Sequence, residues 1–315
     1  MPLHPHIAQA LQAAQGAPAY HQVPIAQARE LAARAYTSNA EAVQVGQVRN
    51  LSMDGPAGPI PLRLYTPRGK GPHPLLVFFH GSGFVMLGLD SHDDICRRLC
   101  AGTHCVVASV DYRLAPEHRF PAAPDDCVAA TRWIAAHGHH FDADSTRMAV
   151  AGDSAGGCLA AVTAMRLRDE GGPALAAQLL VYPVTDYPSV PSESYRAFGS
   201  GYGLTHEAMQ WFWRHYLPDA AAAAHPHASP MRSPSAAGLP AAYVLVAEYD
   251  VLRDEGEAFA QRLAQAGVET VSLRCEGMNH GFLKYAGAIA QVDEVLQAAC
   301  AWLGQRLRVR PAKAE

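Results

Sequence analysis

The chain reads as an α/β protein: a mostly parallel central sheet flanked by helices, with a helical cap over one edge. Three observations predict this. Short apolar runs alternate with helical patterns along most of the length. The apolar runs are continuous rather than alternating, as expected of strands buried on both faces. Two further stretches, one helical and amphipathic and one rich in aromatics, stand outside the alternation.

Taken in order, residues 1–42 look helical and precede the first strand, so they are read as an N-terminal cap segment. In residues 44–67, two amphipathic runs flank Asp54-Gly55-Pro56-Ala57-Gly58, which predicts a hairpin or a pair of edge strands. Buried strands are expected at 75–79, 105–110, 148–151, 178–182, 243–247 and 270–274. Helices are expected between and after them at 92–101, 124–136, 158–169, 254–266 and 289–307. Residues 186–225 carry Tyr195, Phe198, Tyr202, Trp211, Phe212, Trp213 and Tyr216, and are read as a cap insertion. The core is thus expected to span 43–185 and 226–315, with an irregular connector around 220–238.

A length of 315 residues, 49% hydrophobic and 17% charged, suits one large domain with additions. A net charge of −4 leaves no basic footprint for nucleic acid or an anionic membrane. No apolar run approaches the roughly 18 residues of a membrane span. The N-terminal residues lack a basic stretch followed by a continuous apolar one, so the expected compartment is the cytoplasm. Seven scattered cysteines suit free buried thiols. Cys96, Cys100 and Cys105 are close together but lack a metal-knuckle spacing, and His137-Gly138-His139-His140 reads as a solvated turn; no metal site is expected.

The stretch most informative about function is Met148 to Gly157: a short apolar strand, then Gly152-Asp153-Ser154-Ala155-Gly156, then an Ala-rich helix. A Ser lifted out of the chain at a strand-to-helix turn takes a strained backbone conformation. Glycines two positions either side let strand and helix approach closely. Ser154 would sit at the helix N-terminus, where the Ala155 N–H faces a developing oxyanion. The competing reading is a tight turn with an N-capping Ser.

A serine nucleophile needs a base, and the base needs an orienting acid. Downstream, Asp250 follows the apolar run Val244-Leu245-Val246-Ala247, at the strand edge where ligands bind in open α/β sheets. Asp254 competes for the role, but it begins a helical pattern and better suits a capping or dipole role. In the order Ser, acid, base, His280 is the one histidine that follows Asp250. His80-Gly81-Ser82-Gly83-Phe84 follows the strand at 75–79, and its glycines let backbone amides turn inward as oxyanion donors.

With these residues in place, the chain resembles the bacterial hormone-sensitive-lipase-like (family IV) carboxylesterases of the α/β-hydrolase superfamily, in their GDSAG subgroup. Further marks are Asp111-Tyr112-Arg113-Leu114-Ala115-Pro116-Glu117-His118, Phe120-Pro121-Ala122, Leu252-Arg253-Asp254-Glu255-Gly256 and Asn279-His280-Gly281-Phe282. The resemblance implies an α/β-hydrolase core, a helical cap, and Ser154, Asp250 and His280 as a catalytic triad. It implies the N–H groups of Ser82, Gly83 and Ala155 as oxyanion donors, no metal or organic cofactor, a small-molecule ester as substrate, and often a homodimer. Two departures stand out. Ser82 occupies a position that is usually Gly; its Cβ is costly at a positive φ, and its hydroxyl is expected to be tolerated and to tune selectivity. Val251 stands where Pro usually follows the acid.

Phe84, Met86, Leu87, Phe198, Tyr202, Trp211 and Phe282 are expected to line an apolar substrate pocket for short to medium acyl esters. An amidase or arylacylamidase on the same triad is the alternative. A non-catalytic binder would lack the base, and His280 is present. An interfacial lipase would need a lid with a long apolar face, and none stands out.

Overall fold

The computed structural model describes residues 1–36 and 43–308. The expected N-terminal cap segment therefore extends past the described residues at 37–42. Eight strands form one sheet: β1 (Gln47–Gly55), β2 (Gly58–Thr66), β3 (His73–Phe79), β4 (Val106–Val110), β5 (Ala143–Asp153), β6 (Ala177–Val181), β7 (Ala241–Tyr249) and β8 (Thr270–Asn279). Their spatial order is β1-β2-β4-β3-β5-β6-β7-β8. β1 pairs antiparallel with β2, and β2 antiparallel with β4; every other pairing is parallel. The predicted hairpin at 44–67 is the β1–β2 pair, joined through Pro56-Ala57.

The helices are α1 (Pro5–Ala13), α2 (Ile25–Ala35), α3 (Asp93–Thr103), α4 (Ala122–His137), α5 (Ala155–Asp169), α6 (Glu193–Phe198), α7 (His206–Tyr216), α8 (Arg253–Gln265) and α9 (Ala290–Arg308). Side chains alternate across a strand, and β3 shows what that does. Leu75, Val77 and Phe79 pack on one face with Ile134 of α4, Leu159 of α5 and Phe259 of α8. Leu76 and Phe78 pack on the other with Leu99 of α3 and Val292 of α9. Burial on both faces is why the central strands read as unbroken apolar runs.

Strand order reverses at β3: the chain moves outward to β4, then crosses back to β5 on the other side. A reversal of this kind opens a crevice at the C-terminal ends of the strands. Phe79, the end of β3, lies in register with Gly152 near the end of β5. The His80–Phe84 loop and Ser154 therefore emerge side by side.

Two of the boundaries that differ from the sequence expectation bear on the site. Helix α5 begins at Ala155, not 158, and contains Gly156 and Gly157 in its first turn. Glycine lowers helix propensity, but here it is demanded by contact. A Cβ on Gly156 would lie 1.9 Å from the Phe79 carbonyl oxygen, and one on Gly152 would lie 2.2 Å from the Gly156 carbonyl oxygen. Strand β8 runs five residues past its expected end at 274, to Asn279, and delivers the chain directly to His280.

The Gly156 contact gives a test of the fold. Gly156→Ala should lose about 3 kcal/mol or more, or fail to accumulate as soluble protein, because backbone carbonyls cannot step aside. Urea denaturation reads the loss; a midpoint equal to wild type would show that the elbow relaxes freely.

Candidate active site

Ser154 sits between β5 and α5 at φ 56 and ψ −120, a strained conformation for a residue with a Cβ. Its backbone is pinned from both sides. The Ser154 N–H donates to the Val181 carbonyl at 2.8 Å, and the Ser154 carbonyl accepts from Val184 and Cys158 at 3.1 Å each. Although it stands at the N-cap position, its side chain caps nothing. The hydroxyl is left for another partner, and the capping alternative is set aside.

That partner is His280: its Nε2 lies 2.9 Å from Ser154 Oγ. The His280 Nδ1 lies 2.7 Å from Asp250 Oδ2. A ring nitrogen facing a carboxylate carries the proton, so Nε2 is left as the acceptor for the serine hydroxyl. Asp250 follows β7 and is 1% exposed. Its other oxygen accepts from the Leu252 N–H at 3.0 Å. The structure thus brings Ser154, His280 and Asp250 into one chain of contacts. Asp254 faces elsewhere: it accepts from the Ser194 N–H of α6 at 2.8 Å and bonds Arg253. No side chain caps α8, so Asp254 is not its cap; it lies in the first turn of α8, as the dipole reading expects, and its carboxylate also serves the first turn of α6.

Ala155 N–H is the first donor of a 15-residue helix, so it has no partner within that helix. On the facing loop, Ser82, Gly83 and Phe84 all take positive φ, at 114°, 63° and 65°. The Cβ of Ser82 therefore carries the anticipated conformational cost. Its hydroxyl donates to the Met86 carbonyl, so it is committed to its own turn. Among the described residues the Gly83 N–H donates to no protein acceptor. A Cβ at Gly83 would meet the Phe212 ring of α7 at 2.2 Å, so only Gly fits there.

What ties this loop to the turn that carries Ser154 escaped the sequence reading. Asp153 Oδ1 accepts from the Gly81 N–H at 2.8 Å and lies 3.1 Å from His92 Nε2. Burial alone would raise the Asp153 carboxyl, but His92 and the Gly81 N–H outweigh it and hold the group below the ordinary carboxylate value. His80 is buried and stacks on Tyr112 at 4.3 Å. Burial first, and then neighbouring His92, push its pKa down to about 3, so it is neutral. The Tyr112 hydroxyl donates to the His80 carbonyl at 2.7 Å, and the Tyr182 ring lies 4.7 Å from His280. Asp153 was visible inside the elbow motif. His92, 61 positions earlier in the chain, had no sequence signal linking it to that motif.

The expected pocket residues separate into groups. Phe282 is wholly buried and packs edge-on against Tyr182 at 5.2 Å. It lines no water-accessible pocket and instead backs the loop of His280, which corrects the expectation. Phe84, 2% exposed, stacks on Tyr216 at 3.8 Å and joins the core, as does Met86. Trp211 is 6% exposed and packs against Phe212 and His215. Phe198 and Tyr202 gather on Tyr249 at 5.4 and 5.1 Å. Leu87 borders a cavity of about 770 Å³, with Tyr36, Arg63 and Asp111 also in its wall; Ser154 and His280 are not part of that wall.

A family model described as the α/β-hydrolase fold matches residues 76–284. The chain belongs to the α/β-hydrolase family. Esterase LipI of Mycobacterium tuberculosis is 45% identical over 255 residues, covering 79% of this chain and 78% of that protein. An ethyl acetate hydrolase of Pseudomonas putida is 38% identical, with 79% of each chain covered. Among solved structures, a hyperthermophilic esterase from Pyrobaculum calidifontis superposes with a TM-score of 0.93 at 37% identity, covering 97% of this chain and 99% of its own. The resemblance to hormone-sensitive-lipase-like esterases drawn from the motifs agrees with these matches. In this α/β-hydrolase, no helix among the described residues is long and apolar enough to cross a membrane.

Asp153 provides a test of the loop tie. Asp153→Asn keeps an acceptor for Gly81 but removes the charge beside His92, and kcat should fall about tenfold. Because the folded carboxyl lies below its unfolded value, its stabilising contribution is full above about pH 4 and lost as pH falls through the folded pKa. Melting temperatures of the two proteins from pH 3 to 7 should therefore draw closer toward the acid end, and a gap that widens as pH falls would contradict this.

Proposed function

We propose that the protein is a serine carboxylesterase that hydrolyses short- to medium-chain acyl esters through an acyl-enzyme intermediate. The observation that carries this is the relay from Asp250 through His280 to Ser154, with steps of 2.7 and 2.9 Å. His280 Nε2 takes the Ser154 proton as Oγ attacks the ester carbonyl. The N–H groups of Ala155, Gly83 and Ser82 receive the negative charge that develops on the carbonyl oxygen. His280 then gives its proton to the leaving alcohol, and water repeats the sequence on the acyl-enzyme. Asp250 holds the imidazole in the tautomer this needs and stabilises its charged form. Every step uses side chains and backbone of this chain.

The relatives described above are named for ester hydrolysis, and the reading follows them; no feature of the site favours amide substrates. The substrate is a small-molecule ester rather than a nucleic acid or a membrane. We also propose a homodimer: β8 is an edge strand of the sheet, and Val271 and Leu273 on it are each 37% exposed. Sedimentation velocity should give twice the chain mass at micromolar concentration, and Leu273→Lys should return it to a monomer.

Hydrolysis of p-nitrophenyl esters from acetate to palmitate tests the activity. Wild type should cleave the short and medium chains. Ser154→Ala should lose at least about ten-thousand-fold in kcat while keeping the wild-type melting temperature. Retained hydrolysis by the variant would overturn Ser154 as nucleophile, and an inactive wild type would overturn the esterase reading.

A further inference from the structure

The loop at 82–87 is strained beyond its glycine. Ser82, Phe84 and Leu87 all hold positive φ, and each such non-glycine residue costs free energy that its surroundings must offset. A conformation of this kind persists only where neighbouring groups over-determine it. The Gly81 N–H bond to Asp153 anchors the loop at its start. Further on, the Phe84 carbonyl accepts from the Ala115 N–H at 2.9 Å.

The remaining anchor comes from outside the sheet. Arg29, on α2, donates from Nε to the Val85 carbonyl at 2.9 Å. Its Nη2 donates to the Ala115 carbonyl at 3.0 Å. The same guanidinium makes a two-pronged pair with Glu117, at 2.9 and 2.6 Å. The bonds close a ring: Phe84 carbonyl to Ala115 N–H, Ala115 carbonyl to Arg29, and Arg29 to Val85 carbonyl. Val85 itself has no exposed surface. Helix α2 is seated by Ala28 and Ala32, both buried, so the guanidinium is held from a fixed base. The rigid guanidinium fork makes all four bonds at once, two to carbonyls and two to the carboxylate, and a lysine ammonium, with three donors on one nitrogen, cannot reproduce the set.

We propose that Arg29 is a positioning residue for the esterase reaction, holding the oxyanion loop in its strained, donor-presenting form from the N-terminal helix. This rests on the esterase reading above. It makes α2 part of the machinery that shapes the transition state, not only a cover for it. The Glu117 arm is separable. It meets the guanidinium at the solvent side, where the Glu117 side chain is 54% exposed, and an exposed pair of this kind contributes little.

The test compares Arg29→Ala, Arg29→Lys and Glu117→Gln with wild type on p-nitrophenyl acetate and butyrate, well below each melting temperature. Arg29→Ala should lose about 10- to 100-fold in kcat with KM changed less than about threefold, as expected when only transition-state donors are misplaced. Arg29→Lys keeps the charge but loses the Val85 bond, so it should resemble Arg29→Ala. Glu117→Gln should stay within about threefold of wild type, because both carbonyl bonds survive. A trifluoromethyl ketone, which forms a tetrahedral adduct on the serine, should bind Arg29→Lys more weakly by the same factor as kcat/KM falls. If Arg29→Ala does not fold, the Arg29→Lys and Glu117→Gln pair carries the comparison. Lower melting temperatures with unchanged kcat would reduce Arg29 to a structural residue and overturn the proposal while leaving the esterase reading intact. An inactive wild type would overturn both.

Discussion

The approach of Gly156 to the carbonyl of Phe79 is the contact on which the rest depends. It brings the first turn of α5 against the end of β3 at a separation that no side chain allows. Because β3 continues into His80–Phe84 and β5 into Ser154, this one contact sets the distance between that loop and the Ser154 hydroxyl. The strain at Ser154 follows from it. A strand and a helix that meet so closely leave no relaxed path for the residue that joins them. The hydrogen bonds of its backbone to Val181 and Val184 then hold it there.

A second layer of organisation is electrostatic. Asp153 is buried next to Ser154 but faces away from its hydroxyl, toward Gly81 and His92. A buried carboxylate is costly unless it is paired and hydrogen-bonded, and here both conditions hold. Its pairing makes the His80–Phe84 loop and the turn at Ser154 a single unit. Asp250, the other buried aspartate of the site, has a different assignment: it faces His280 and fixes the tautomer. Two carboxylates within one crevice are thus kept to separate roles by which backbone N–H groups each accepts, Gly81 for Asp153 and Leu252 for Asp250.

The aromatic residues of the 186–225 stretch show the limit of reading function from residue type. Their abundance suggests a pocket, and several of them instead make the walls rigid. Tyr216 stacks on Phe84, and Phe212 fills the space that a Cβ on Gly83 would take. Phe282, beside the base in sequence, is sealed behind Tyr182. Composition tells which side chains are apolar, but whether such a side chain faces a ligand or another ring depends on the path of the chain around it. The same holds for Leu87, which reaches a cavity because the loop turns it outward at a positive φ.

The α/β class was legible along the chain, because strands buried on both faces must be apolar at every position and helices between them carry a 3.6-residue stripe. The sequence also singled out Ser154, Asp250 and His280 as candidates, because chain order and local motif leave few ways to supply a nucleophile, an acid and a base. Those are properties of neighbours along the chain. Tertiary structure alone decided how residues distant in sequence meet: His92 with Asp153, Arg29 with Val85 and Ala115, and Asp254 with α6 rather than with His280. No spacing or periodicity encodes such pairings, since each is set by the register of strands and the seating of helices, which are collective results of packing the whole core.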